Sequence, residues 1–274
     1  MTHLVLIDAM NLIRRLYAVQ ERPYLPLPDQ LTENTRQQLI KNTSQAVDKA
    51  LRTIIEQCQP SHLVLVFDSQ QPTWRHQLYP DYKANRSPMP ALLQQALPEL
   101  QQHIRQLGIA IYQHEGYEAD DIIASLALKM RQHQQEVTIV STDKGYCTLL
   151  DSGVKLYDHF RRDYLDEAYV QQKFGVPSRR LIRYWSLVGD STNHIPGVAG
   201  IGPKTALELL QLGDTFSEIL QHPDCPKALH SKLTEHKADI QCFLQLFQPR
   251  TDLELGLNLQ QLRYPNQEPA HAQN

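Results

Sequence analysis

The sequence predicts an α/β fold: a mainly parallel sheet flanked by helices, followed by a smaller all-helical domain. Two observations carry this. Through the first 160 residues, short runs rich in Val and Ile alternate with longer amphipathic segments, the pattern of strands joined by crossover helices. From about residue 164 the β-runs stop and the chain reads as helical, with breaks at Gly175 to Pro177, at 189–203 and at Pro223 to Pro226. A boundary is therefore expected near 160, with residues 1–160 forming the α/β domain and 161–260 the helical one. Residues 261–274, which include RYPNQEPAHAQN, read as a flexible tail,.

The strands are taken in order. HLVLI ends before Asp8, HLVLVF before Asp68, IAIY before His114 and VTIVS before Thr142, and VKLYD at 154–158 is a further strand near the sheet edge. The intervening segments 35–58, 91–107 and 119–133 carry apolar residues at helical spacing,. A chain of 274 residues with 41% hydrophobic and 21% charged residues excludes disordered and collagen-like classes,. MTHLVLIDAMNLIRR lacks a basic leader before its apolar run, and Asp8 interrupts that run too early for a signal peptide,. No stretch approaches the roughly 18 apolar residues of a membrane span. Cys58, Cys147, Cys225 and Cys242 are scattered, with no CxxC, and are expected to be reduced and mostly buried,. A soluble, cytoplasmic monomer with no membrane partner is expected.

Carboxylates mark the ends of the strands. Asp8, Asp68 and Asp143 fall at or within two residues of an apolar run's end, the end at which open α/β sheets place their crevices. Each could equally cap the helix that follows. Glu118, Asp120 and Asp121 open a predicted helix in GYEADDIIASLA, where acids favour the dipole. Three acids in four residues beside further aspartates repel one another unless cations intervene. With only oxygen ligands on offer, Mg²⁺ or Mn²⁺ is indicated, and such a cluster suits metal-assisted attack of water on a phosphodiester. The net charge of −3 gives no support to nucleic-acid binding, yet residues 82–98 hold Lys83 and Arg86 and no acid. The segment WRHQLYPDYKANRSP adds Arg75, with Trp74, Tyr79 and Tyr82 interleaved, a mixture suited to phosphate contacts and base stacking.

IPGVAGIGPKTALELL is not a Walker loop, because Pro203 separates Gly202 from Lys204, and not a dinucleotide fingerprint, because no strand precedes it,. It reads as a helix-hairpin-helix turn in which Gly200, Ile201, Gly202, Pro203, Lys204 and Thr205 bind DNA. Pro203 takes the first helical position, free N–H groups grip a phosphate and Lys204 adds charge,. A plain helix-helix connection is the alternative.

The ordered set LIDAMN, VFD, WRHxxYxxYKANR, GYEADD, STDKG and GDSTNHIPGVAGIGPKTA resembles the bacterial 5′ nuclease (flap endonuclease) family, over residues 3 to 260. The chain is similar in size and in the STDKGYC and PGVAGIGPK wording to the free-standing exonucleases of that family. The resemblance implies a PIN-like 5′ nuclease domain and a basic gateway for a 5′ flap, with a hairpin domain on duplex DNA. It adds Asp190 to the metal-site acids Asp8, Asp68, Glu118, Asp120, Asp121 and Asp143, and places Arg75, Lys83 and Arg86 at the scissile phosphate and flap. It also implies K⁺ held by the backbone carbonyls of Leu187, Val188, Pro196, Val198 and Ile201. Two family carboxylates are absent: DKD reads Asp143-Lys144-Gly145, and GDxxDN ends in Asn193-His194. Up to two divalent ions are expected, the second held weakly, and a glycine at 145 suits a positive φ. The function expected is a Mg²⁺-dependent, structure-selective endonuclease acting on 5′-flap or 5′-overhang DNA, as in Okazaki-fragment or repair flap processing. The rivals are a catalytically weak junction-DNA-binding protein of the same fold and a PIN-like ribonuclease, which would not need the hairpin.

Overall fold

A computed structural model describes residues 2–25 and 32–265 of the chain. Strand β1 (His3–Asp8) continues into helix α1 (Ala9–Glu21), and α2 (Glu33–Cys58) leads to β2 (His62–Phe67). A short α3 (Trp74–Leu78) and α4 (Ala91–Gln106) precede β3 (Ala110–Gln113), then α5 (Ala119–Gln132), β4 (Glu136–Val140), β5 (Lys155–Asp158) and β6 (Asp163–Leu165). The sheet runs β3-β2-β1-β4-β5-β6 and is parallel except where β6 pairs antiparallel with β5. VKLYD is thus the next-to-edge strand, and the edge is β6, whose three residues are too few to show a period.

β1 explains the continuous apolar runs. Leu4, Val5, Leu6 and Ile7 are all fully buried, since both faces of a parallel sheet are covered. Leu4 and Leu6 pack with Ile122 and Ile123 of α5. Val5 and Ile7 meet Ile13 of α1, Leu51 and Ile54 of α2 and Leu100 of α4 on the other side. The sheet switches direction at β1: the chain moves outward to β2 and β3, then crosses to β4 on β1's far side. Crevices form at the carboxyl ends of strands at such a point.

The later helices are α6 (Glu167–Phe174), α7 (Leu181–Val188), α8 (Pro203–Gln211), α9 (Phe216–Gln221), α10 (Lys227–Glu235) and α11 (Lys237–Phe247). They do not close around a core of their own. Leu187, Leu209, Leu233 and Ile240 belong to the same buried cluster as Leu4 and Ile122, so the helical part is built onto the α5 face of the sheet. The expected tail begins too early. Leu262 is buried, Arg263 bridges to His62 and Tyr264 N–H donates to Ser61 O at 2.9 Å; residues 266–274 lie outside the described residues. Cys58 and Cys147 are buried and all four cysteines are free. Among the described residues no helix is long and apolar enough to cross a membrane.

Candidate metal and nucleic-acid site

Each strand-end aspartate gives one oxygen to a backbone N–H; Asp8 and Asp143 cap the element that follows, while Asp68 reaches across to α5. Asp8 Oδ1 accepts from Asn11 N–H at 3.1 Å and caps α1. Asp68 Oδ1 accepts from Ala119 N–H at 2.9 Å, at the start of α5. Asp143 Oδ1 accepts from Gly145 N–H at 2.8 Å and caps the 3-10 segment Lys144–Ser152. These bonds fix each carboxylate through one oxygen, and the three differ in what reaches the second. Asp8 Oδ2 accepts from Ser141 Oγ at 3.1 Å and from the Tyr146 hydroxyl at 3.4 Å. Among the described residues no protein hydrogen bond reaches the second oxygen of Asp68 or Asp143. Asn11 Oδ1 also accepts from Thr142 N–H and Oγ1, both at 3.0 Å, tying the ends of β1 and β4 together.

The carboxylates feel one another. Burial, then the charge of Asp68, pushes the Asp8 carboxyl up to about 7. Burial also raises Asp120, against the opposing pull of Arg75, and the nearby Glu118 and Asp121 add to the rise; with its side chain 40% exposed, solvent softens that shift. The buried Tyr146 hydroxyl lies in the field of the whole group. After burial itself, Asp8, Asp120, Asp143 and Asp68 all push its pKa well above the usual phenol value.

Glu118 behaves differently. Burial alone would raise it, but Lys83 and then Arg75 more than offset that and hold it below the usual carboxylate range. Lys83 Nζ donates to Glu118 Oε1 at 2.6 Å, and Oε2 accepts from Arg75 Nη1 at 2.8 Å and the Tyr82 hydroxyl at 3.1 Å. An ammonium thus stands where the acids converge. Among the described residues no three His, Cys, Asp or Glu side chains are gathered closely enough to hold an ion as they stand. The donor chemistry still fits a hard cation: Asp8, Asp68, Asp120 and Asp143 offer only oxygens, and among the described residues Asp68 and Asp143 each have one oxygen that no protein hydrogen bond reaches,.

Two expected site residues are corrected. Asp121 is fully buried, and both its oxygens are taken. Arg75 Nη2 donates to Oδ1 and Nη1 to Oδ2, each at 2.8 Å, Trp74 Nε1 donates to Oδ2 at 2.9 Å and Arg250 N–H to Oδ1 at 2.8 Å. Nothing is left for a metal. Arg75 is 1% exposed and its Nε donates to Leu246 O of α11 at 3.0 Å, so it clamps α3, α5 and α11 together and faces no substrate. The aromatic residues are engaged within the protein. Tyr82 is buried, Tyr79 packs edge-on against Phe243, and Trp74 lies between the guanidinium groups of Arg75 and Arg250. Base stacking does not fit the buried Tyr82, while Tyr79 and Trp74 are partly exposed.

Arg86 is exposed and Lys83 half-buried, as a phosphate contact requires. Asp190 sits away from the strand-end acids in its bonding. Its Oδ1 caps Thr192 N–H at 3.0 Å and its Oδ2 accepts from Asn193 Nδ2 at 2.8 Å. Gly145 has no positive φ; a Cβ there would stand 3.2 Å from Asp143 Oδ1, so the capping aspartate is what a side chain would displace.

The hairpin forms as its glycines demand. Gly189 and Gly197 have φ of 79° and 71°, and a Cβ at Gly197 would lie 2.4 Å from Gly189 N and 2.6 Å from Leu187 O. A Cβ at Gly189 would lie 2.7 Å from Pro196 O. Backbone meets backbone here, and the carbonyls of Leu187 and Pro196 crowd the crossing. Leu187 O accepts from Val198 N–H at 2.8 Å and Val198 O from Ile201 N–H at 2.9 Å. Beyond the crossing Gly202 caps α8, with Pro203 first and Lys204 exposed. Ile201 is buried in the core, so its side chain is closed to DNA.

A parallel sheet with capped carboxylates at its switch point, a basic segment and a glycine hairpin define a protein of the α/β nuclease class. A family model for the N-terminal resolvase-like domain of 5′-3′ exonucleases matches residues 3–175, and one for their C-terminal SAM fold matches residues 176–270. The chain belongs to the 5′-3′ exonuclease family. It is 44% identical to flap endonuclease Xni of Colwellia psychrerythraea over 99% of this chain and 95% of that one. The identity to flap endonuclease Xni of Vibrio cholerae is 43%, over 96% of each. The fold is similar to that of T5 5′-exonuclease with zinc bound, with a TM-score of 0.71 at 19% identity over 91% of this chain and 90% of that one.

Proposed function

We propose that the protein is a structure-selective flap endonuclease that hydrolyses a phosphodiester near the junction of a 5′ single strand with duplex DNA. The observation that carries this reading is that Asp68 and Asp143 each bind a backbone N–H with one oxygen and keep the other for the crevice, beside Asp8, whose second oxygen is held only by the Ser141 and Tyr146 hydroxyls. Asp120, at 40% side-chain exposure, completes the set. A bound Mg²⁺ or Mn²⁺ supplies Lewis acidity toward the phosphate and a lowered pKa for attacking water. Lys83 and Arg86 contact the phosphates of the single strand. The Gly200–Thr205 turn grips the duplex backbone through α8's free N–H groups and Lys204, with K⁺ at the carbonyls around Gly197 as a further phosphate contact. Asp121 and Arg75 drop out of this set and Asp190 belongs to a second, weaker position.

A junction binder with little catalysis is the second reading, favoured by the missing side chain at Gly145 and by the pairing of Asp190 with Asn193. One gel separates the two. A labelled 5′-flap duplex should be cut near its junction with Mg²⁺ and left intact in EDTA; retarded but uncut DNA in both lanes would establish the binder.

A second outcome concerns the metal-free protein. The Asp8 carboxyl is raised to about 7, so the stability it contributes is fully present below its unfolded pKa near 4 and is lost as pH rises through about 7. The loss is on the order of a few kcal/mol at most. A cation that binds only the folded, ionised crevice restores it. The gain in melting temperature on adding Mg²⁺ should therefore grow between about pH 5 and pH 8. A gain independent of pH would show that no ion neutralises Asp8.

A further inference from the structure

The segment that carries Lys83 and Arg86 is fastened to the loop after α7. Lys83 N–H donates to Asn193 O at 2.9 Å, Asn85 Nδ2 to Ser191 O at 2.8 Å and Arg86 Nε to Thr192 O at 3.2 Å. A ring nitrogen of His194 lies 3.0 Å from Asp81 O. Both sides of the contact hold a left-handed residue that is not glycine, Lys83 at φ 59° and His194 at φ 57°. Such residues persist only where their surroundings fix them. Beneath lies a small apolar cluster of Tyr82, Ile195, Phe243 and Leu246.

Asn193 stands at the middle of this contact. Its Oδ1 accepts from Arg86 Nη2 at 2.9 Å while its Nδ2 donates to Asp190 Oδ2 at 2.8 Å. Chemistry fixes that orientation, because a guanidinium only donates and a carboxylate only accepts. An amide alone joins the two. A carboxylate at 193 would pair with Arg86 but repel Asp190, and an alanine would hold neither. The departure from the family's acid at this position therefore adds a contact as well as removing a ligand.

We propose that Asn193 is a positioning residue, a clasp that holds the Lys83–Arg86 segment to the hairpin loop in the free protein and yields Arg86 to a phosphate of an entering single strand. The release step rests on the nuclease reading above. The amide of Asn193 gives the guanidinium one bond with charge on the donor side alone, whereas a phosphate brings an opposite charge and often a bidentate pair, so the exchange runs toward the substrate. The clasped state also keeps the Lys83 ammonium on Glu118 at 2.6 Å. Because the clasped loop runs on through Gly197 into Gly202 and α8, it links the part that grips duplex to the part that meets single strand.

The test uses wild type, N193A, R86A, N193A/R86A and N193D, all in EDTA. Hydrogen exchange of peptides covering residues 79–86 in the free protein should quicken about fivefold in N193A, the effect of losing roughly 1 kcal/mol of hydrogen bonding. R86A should do likewise, and the double variant should fall short of the sum of the two, since they share the Asn193–Arg86 bond while each also loses one of its own, Arg86 to Thr192 O and Asn193 to Asp190,. N193D should lower the preference for a 5′-flapped duplex over the same duplex without a flap by about two- to fivefold, because an exposed ion pair now holds Arg86. Taking the ratio cancels the general repulsion of DNA by the added charge. Unchanged exchange in N193A, additive effects in the double variant, or an unchanged preference in N193D would each overturn the proposal. Equal binding of both duplexes by wild type would instead defeat the nuclease reading and the release step with it, leaving the exchange data to decide the clasp alone.

Discussion

Arg75→Ala is expected to destabilise the protein by about 3–5 kcal/mol, the usual penalty for removing one partner of a buried ion pair. The reason lies in what stays behind. Asp121 is fully buried and would keep only Trp74 Nε1 and the Arg250 amide as donors to its two oxygens, with its counter-charge gone. Glu118 would lose its bond to Arg75 Nη1 and Leu246 O its bond to Nε. Removing both charges should be milder than removing one, so Arg75→Met combined with Asp121→Leu should recover much of the loss. Chemical denaturation of the wild type, the single variants and the pair measures this directly. An Arg75→Ala protein as stable as wild type would show that the clamp carries no energy. Where Arg75→Lys still folds, the salt dependence of DNA binding should not change, because a residue 1% exposed reaches no phosphate,.

The strands and their terminal acids were legible in the sequence because both are local features. A run such as HLVLID shows its burial in four consecutive apolar residues and its cap in the aspartate that follows. The pairing of Arg75 with Asp121 was not legible. Asp120 and Asp121 are neighbours in sequence, but on a helix they point about 100° apart, one toward the crevice and one into the core. The signal available was Ser125, one turn beyond Asp121 and buried with it, which marks a polar stripe on an inward face. Nothing local announces that Arg75 will meet Leu246, 171 residues away. The aromatic residues misled for the same reason: Tyr82 and Trp74 look like a stacking platform beside basic residues, yet Tyr82 is buried with Phe243 and Leu246 of α11 and Trp74 is tied to Asp121. Asn193 read as a missing acid because its partner, Arg86, comes from a different part of the chain. β6 and the docked residues 259–265 were too short or too irregular to show a period.

Asp120→Ala is expected to remove cleavage while sparing both fold and binding. A divalent ion bound at this crevice would supply several kcal/mol of transition-state stabilisation, so on the proposed reading, losing one of its oxygen ligands should slow single-turnover cleavage on the order of 10³-fold, at about 1.4 kcal/mol for each factor of ten. Stability should move the other way from Arg75→Ala. Asp120 is already held above the usual carboxylate range by burial and by Glu118 and Asp121, so removing its charge relieves repulsion in the metal-free protein. Its contact with Arg75 is long, at 3.5 Å, and Arg75 keeps its bidentate pair with Asp121. Melting in EDTA should therefore stay level or rise, and the gain on adding Mg²⁺ should shrink. Flap-DNA affinity in EDTA should hold, because Lys83, Arg86 and the hairpin are untouched. A variant that cuts at the wild-type rate would remove Asp120 from the metal set, and one that loses DNA binding in EDTA would show that this carboxylate shapes the substrate path instead.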